Sequence, residues 1–347
     1  MHRIGHDGAV SSASDLATGP TTGPAERGSR VLVVGDTNPD LVLSGDVEPR
    51  FGQAEQLLDG AALVIGGSAS ITAHGLARLG RPVSLVSGVG DDHFGQFVTG
   101  LLAAGGVDVR RVAARPDLPT GLTVALNRGD DRAILTLTGA LDSLTGPDLH
   151  EALDALRTEG LRHVHVASLF LLPSLAAVLP AFLARARDLG VTTSLDTNDD
   201  PAGRWQGVDA LLPHLDVLLP NRAEAVALGR DTDPHRAARA LAAGGPLTVV
   251  KQGASGAFAV TSDGTLTAVE GRAVRAVDTT GAGDTFDAAF LDAWLDALPL
   301  AIALSRAVAA GSRSVAFVGG TAGQPTRDQL SPFPPDAAPP SGDRHEQ

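Results

Sequence analysis

The chain has 347 residues, enough for one large α/β domain or two smaller ones, and its 43% hydrophobic and 19% charged residues mark it as globular. With 27 basic and 40 acidic residues the net charge is −13, which argues against general nucleic-acid or anionic-membrane binding. Cysteine is absent, which excludes disulfides, thiolate metal sites and cysteine nucleophiles, and 3% aromatic residues are too few for a base-stacking platform.

Residues 1–29 are polar and rich in Gly, Ser, Thr and Pro, without the apolar core of a signal peptide, and read as a disordered leader. "VLVVGD" (31–36) is a buried strand, and "LVLSGDVE" (41–48) a further strand. "ITAHGLARLG" (71–80) has helical spacing and a Gly stop, and "VSLVSGVG" (83–90) is the next strand. A helix follows over 94–106, and residues 121–139 form two strands about a turn at 128–131. Strands are then expected at 163–168, 191–198, 215–221 and 247–253, with helices at 174–190 and from 222. A hairpin over 256–269 and helices over 289–298 and 301–319 complete the pattern, before a Pro-rich tail at 331–347 that reads as disordered. The repeated β-α units imply a mostly parallel sheet covered by helices on both faces. The early strand and hairpin fall outside that alternation and are expected to form a small antiparallel flap over one edge. No apolar run reaches about 18 residues, so no membrane span is expected and the cytoplasm is the default location.

The stretch "AVDTTGAGDTFDAAF" (276–290) turns from glycines into an apolar helical pattern. A helix starting near Ala282 presents unpaired N–H groups and the positive end of its dipole. Gly281 and Gly283 would let an anion approach the backbone. Asp284 in the first turn is explained by dipole stabilisation alone. Beside a phosphate it is a costly cap, and it makes sense as the group that accepts a proton from an attacking hydroxyl.

Here the motifs resemble those of the ribokinase-like (PfkB) carbohydrate kinases. "DTTGAGDTF" (278–286) is similar to that family's C-terminal signature and "GGSASITAHGLARLG" (66–80) to its N-terminal double-glycine signature. "GDTNPDLVL", "GVGDDHFG", "DTN" (196–198), "PNRAE" (220–224) and "KQGASG" (251–256) follow in the family's order across about residues 31–320. The resemblance implies a three-layer α/β sandwich over 30–330, with a small β lid from about 41–62 and 107–138. It implies ATP-dependent transfer of a γ-phosphoryl group to a sugar or nucleoside hydroxyl, with Asp284 as base. Gly281, Ala282, Gly283 and Asp284 would form the anion hole, and Asn38, Asp40, Gly66, Gly67 and Ser68 would hold the acceptor. Asp196, Asn198, Asn221, Glu224, Lys251, Gly253 and Gly256 would hold the nucleotide, with Glu224 bearing Mg²⁺ through water. Asp278 and Thr280 match a monovalent-cation (K⁺) site, residues 309–314 border the adenine, and the lid is expected to pair in a homodimer.

The pattern departs at Ile71, where the family commonly carries an Asn that touches the sugar. An isoleucine there offers an apolar wall to a different acceptor, and Ser68 or Ser70 are the candidates for the missing polar contact. Lys251 and Gln252 also differ from the commoner small or apolar pair. Blander readings stand beside these: Gly66 and Gly67 as a plain turn, Asp40 as a solvated acid, and Asn221 with Glu224 as a capping box. Arg128, Asp131 and Arg132 read either as a solvated hairpin tip or as lid residues touching the acceptor. His163 and His165 share a strand face but lack a third metal ligand. No P-loop, dinucleotide fingerprint or nucleophile elbow is present, and a non-catalytic sugar or nucleotide sensor is the alternative from another class.

Overall fold

A computed structural model describes residues 29–128 and 131–330. The expected leader (apart from Ser29), the tail and the centre of the hairpin turn lie outside the described residues. The strands are β1 Arg30–Val34, β2 Asn38–Ser44, β3 Gly60–Gly66, β4 Val83–Gly90, β5 Asp108–Arg115, β6 Leu122–Arg128, β7 Asp131–Leu137, β8 Leu161–Ala167, β9 Thr192–Asp196, β10 Val217–Leu218, β11 Leu247–Lys251, β12 Gly256–Val260 and β13 Leu266–Glu270. The helices are α1 Ser68–Arg78, α2 His93–Ala104, α3 Gly146–Arg157, α4 Pro173–Ala176, α5 Leu179–Asp188, α6 Arg222–Gly229, α7 Pro234–Ala242, α8 Ala282–Leu295 and α9 Leu300–Ser314.

Nine strands form one sheet in the order β13-β12-β11-β10-β9-β8-β1-β4-β5, parallel except for the antiparallel β11-β12-β13 end. The side-chain period of two splits β1 between two cores. Val31 and Val33 pack with α1, α8 and α9, whereas Leu32 and Val34 pack with α3 and α5. This three-layer sandwich is the expected one. No helix among the described residues is long and apolar enough to cross a membrane.

A second sheet has four strands in the order β3-β2-β6-β7. It is not wholly antiparallel, as the sequence pattern led us to expect, because β2 and β6 run parallel, with Asp40 opposite Thr123. The chain leaves β2–β3, passes through the large sheet, and returns to this one in the same direction. Residues 108–115 also fall outside this smaller sheet, contrary to the expected lid range. As β5 they edge the large sheet against β4. Their pattern, DVRRVAAR, is half polar, as suits an edge strand, and Arg110 faces solvent on it, paired with the partly buried Asp108.

The helix expected over 174–190 is broken into α4 and α5. Pro180 in the first turn of α5 has no N–H and its ring clashes with a carbonyl four residues back, so the helix restarts there. Strand β3 and helices α3 and α7 appear where no element was read. Strand β1 has its sequence neighbour β4 on one side and the later β8 on the other. The carboxyl ends at this switch point are where an open α/β sheet binds its ligand.

Candidate active site

Two glycine-rich turns meet above those strand ends. Gly67 precedes α1 with φ 85°, and a Cβ there would lie 2.7 Å from the Asp36 carbonyl oxygen. The turn aims the first N–H groups of α1 at the end of β1, where the Ala69 N–H donates to Asp36 Oδ1 at 3.0 Å. It also places Ser68 so that its hydroxyl donates to the carboxylate of Asp284. The other turn starts α8 with Gly281 at φ 69° and no side-chain cap. Ala282 N donates to Thr279 O (3.3 Å) and Thr285 N to Gly281 O (2.9 Å). Between them, the N–H groups of Gly283 and Asp284 donate to no backbone carbonyl among the described residues.

Asp284 lies in a buried cluster of charge. Carboxylate oxygens of Asp196, Asp284 and Asp287 fall within 4.8 Å of one another. Lys251, at the end of β11, places its Nζ 2.7 Å from Asp196 Oδ2 and 3.0 Å from Asp287 Oδ2. Burial pushes the Asp284 carboxyl up to about 7, helped by the charges of Asp196 and Asp36 and opposed by the Ser68 hydrogen bond and Lys251. Burial also raises Asp287 far above the carboxylate range. Burial alone would pull Lys251 down, but Asp196, Asp287 and Glu224 outweigh it and hold the ammonium above its ordinary range.

The residues expected to hold the acceptor come together on the small sheet. Asn38 Nδ2 donates to Asp40 Oδ1 (2.8 Å) and to Thr123 Oγ1 (3.1 Å). Gly66 has a structural demand behind it, since an added Cβ would sit 1.8 Å from Asp40 Oδ1. Burial raises the Asp40 carboxyl to about 7, with a further push from Asp36, against Asn38, Arg132 and Thr123. Asp40 is thus buried, not a solvated acid. Ile71 packs beside the signature loop. It is buried, with its side chain against Gly281 and Gly320 (3.0 and 2.5 Å from Cβ positions built on those glycines). Ser70 turns away to Thr37 Oγ1 (2.9 Å), which leaves Ser68 as the polar side chain of that turn at the site.

On the other side of α8 is a cavity of about 260 Å³ lined by Lys251, Gly253, Gly256, Ala282 and Gly283, with Val308, Gly311 and Ser312 of α9. Gly253 (φ 57°) is open, with nothing within 4 Å of a built Cβ. Gly256 is glycine for a different reason, because its Cβ would lie 2.1 Å from Val269 O in the β12–β13 hairpin. Asn221 caps α6, accepting from Ala223 N (2.8 Å) and Glu224 N (3.0 Å), while Glu224 accepts from Asn221 N (2.8 Å). The capping box is therefore real, and burial together with Asp196 raises Glu224 to about 7. Asp278 accepts from Thr280 N and Gly319 N, both at 2.9 Å, and so pins the signature loop to the chain after α9. Asn198 (φ 54°) lies toward Asp284, donating to Ser68 Oγ (2.9 Å) and accepting from Ser168 N (2.8 Å).

The model of the pfkB family of carbohydrate kinases matches residues 29–327. The chain belongs to the pfkB carbohydrate kinase family. This family member is 33% identical over 287 residues to 2-dehydro-3-deoxygluconokinase of Bacillus subtilis, covering 78% of the chain and 86% of that protein. It is 31% identical over 312 residues to the ATP-dependent ribose-1-phosphate kinase of Halopiger xanaduensis, covering 88% and 97% of the two chains. Its fold matches that of a ribokinase II of E. coli solved with ATP and Mg²⁺, with TM-score 0.77, 24% identity, and 87% and 97% of the two chains covered.

Several residues at this pfkB site escaped the sequence reading. Asp36 looked like the polar end of a strand and Asp287 like one more helix acid. Thr123 gave no signal because only strand pairing brings it opposite Asp40, whereas Arg132 stands out in the sequence as a hairpin-tip or lid residue but without its partner Thr280. His163 and His165 are explained by structure alone. They are fully buried and share Ser194 Oγ at 2.7 and 2.8 Å, as satisfied core groups, apart from the unpartnered Nε2 of His165.

Proposed function

We propose that this carbohydrate kinase transfers the γ-phosphoryl group of ATP to a sugar hydroxyl, with Asp284 as the general base. The observation that carries the reading is a buried carboxyl with pKa about 7 in the uncapped first turn of α8, beside N–H groups without carbonyl partners. A base whose pKa lies near the working pH is matched to taking a hydroxyl proton, and fixed donors beside it stabilise charge that builds on the transferring group. The Ser68 hydrogen bond orients that carboxylate.

The donor set fits Mg²⁺, a hard cation that takes oxygen ligands: Asp196 and Glu224 are buried carboxylates near one another. Glu224 and Asn221 would hold it through water, and the open face of Gly253, with Gly283 beside the Lys251 side chain, would take the nucleotide against bare backbone. ATP with Mg²⁺ supplies the transferable phosphoryl group and neutralises its charge. Asp278 and Thr280 are the residues that would hold K⁺, since carboxylate oxygens that accept one N–H each retain lone pairs. Asp40, Asn38 and Thr123 orient acceptor hydroxyls. The face of the small sheet opposite Asp40 exposes Leu63, Leu135 and Leu137. A second copy of the chain would cover these leucines, and sedimentation tests that dimer. An ATP-dependent reaction fits the cytoplasm.

The test is coupled ADP release with ATP and Mg²⁺ over a panel of sugars, sugar acids, sugar phosphates and nucleosides, for wild type and Asp284→Asn. We expect one acceptor class to turn over and the variant to lose at least about 10²-fold. Equal rates in the two proteins would remove Asp284 as base. Acceptor binding without ADP release would turn the reading to a sensor, and preference for nucleosides would turn it to a nucleoside kinase.

A further inference from the structure

Alternation along β2, β6 and β7 sets Asn38, Asp40, Thr123, Arg132 and Thr136 on one face of the small sheet. The register pairs Asp40 with Thr123 and Thr123 with Thr136. Arg132 stands four residues before Thr136, so it shares that face. Its Nη1 donates to Thr280 Oγ1 at 3.0 Å, which carries the guanidinium across to the loop that delivers Asp284. Its charge also acts on the Asp40 carboxyl. Arg132 therefore lies between the acceptor-side acid and the signature loop.

The hydroxyls of a neutral sugar already have Asp40, Asn38 and Thr123 as partners. A guanidinium beside a threonine hydroxyl offers something different, a planar fork matched to a carboxylate or a phosphate. The other acids here, Asp36, Asp40 and Asp284, repel an anionic acceptor, and a cation at the mouth offsets that repulsion. We propose that the acceptor carries an oxyanion, a carboxylate or a phosphate ester, and that Arg132 with the Thr280 hydroxyl binds it, which makes Arg132 the specificity-determining residue. The inference rests on the kinase reading for the fate of the acceptor but not for its binding.

The test uses two matched pairs: 2-dehydro-3-deoxygluconate against its methyl ester, and ribose 1-phosphate against ribose. Binding is read by titration calorimetry and turnover by ADP release, for wild type, Arg132→Met and Arg132→Lys. We expect wild type to prefer the anionic member of at least one pair by about tenfold or more, the scale of a hydrogen bond to a charged group. That ratio should collapse in Arg132→Met, mainly through KM, and fall partway in Arg132→Lys, which keeps the charge but loses the fork. The pair that responds tells carboxylate from phosphate. If neither anion binds wild type better than its neutral counterpart, or if Arg132→Met leaves the ratio intact, the proposal is overturned. Arg132-dependent binding of the anion with no ADP released would uphold this inference and sink the kinase reading instead.

Discussion

Ser68 donates its hydroxyl hydrogen to the carboxylate of Asp284 across 216 residues of sequence, and this one bond ties the double-glycine turn to the signature helix. The same oxygen accepts from Asn198 Nδ2 at 2.9 Å, so the single hydroxyl proton of Ser68 is committed to Asp284. A donor aimed at a carboxylate favours its charged form, against the burial that disfavours it.

Ser68→Ala removes that donor, so the Asp284 pKa should rise further above about 7. The base then needs a higher pH to be ionised. We expect the acid limb of the kcat/KM profile to move to higher pH, with the rate well above pH 8 affected least. Measured profiles of both proteins check this, and a limb that stayed in place would show that the bond does not act on the base.

Asp284→Asn should stabilise the fold while it stops the reaction. The folded-state pKa of about 7 exceeds the ordinary value of 3.8, so between these values the folded chain binds more protons than the unfolded one. Stability from this group is present below that window and is lost as pH rises through it. The gain on substitution is capped at about 4 kcal/mol at neutral pH. Thermal unfolding should give the variant the higher Tm at pH 8, and the gap should shrink toward pH 5.

Lys251 pairs with the buried carboxyls of Asp196 and Asp287. Lys251→Met leaves two buried carboxyls facing each other and should cost about 3–5 kcal/mol. Adding Asp287→Asn should recover part of this, because burial raises the Asp287 carboxyl while its partner Asp196 stays below its ordinary range. Denaturant unfolding of the single and double variants measures the recovery, and no recovery would mean that the lysine acts through packing alone.

Gly66→Ala puts a Cβ into the space of the Asp40 carboxylate, 1.8 Å from Oδ1. Asp40 must swing away, since the added atom is bound to backbone. We expect the acceptor KM to rise about tenfold or more, the scale of one lost charge-assisted bond, while KM for ATP changes little. Initial-rate kinetics with each substrate varied in turn test it.

What the sequence determined by itself was local. The period of β1, the glycine turns and the first-turn placement of Asp284 are properties of a few adjacent residues, and their order carried the family. Only the tertiary structure decided which side chains meet. Sequence spacing cannot show that Arg132 reaches Thr280 or that Lys251 lies between Asp196 and Asp287, because strand register and a crossover through the large sheet make those contacts. Ile71 makes the same point. The sequence shows that the Asn common at this place is absent, but only packing shows that the isoleucine fills the space beside Gly281 and Gly320. The raised carboxyls of Asp40, Glu224 and Asp284 belong to the fold as well, because burial is a property of everything packed around a group and not of the residue itself.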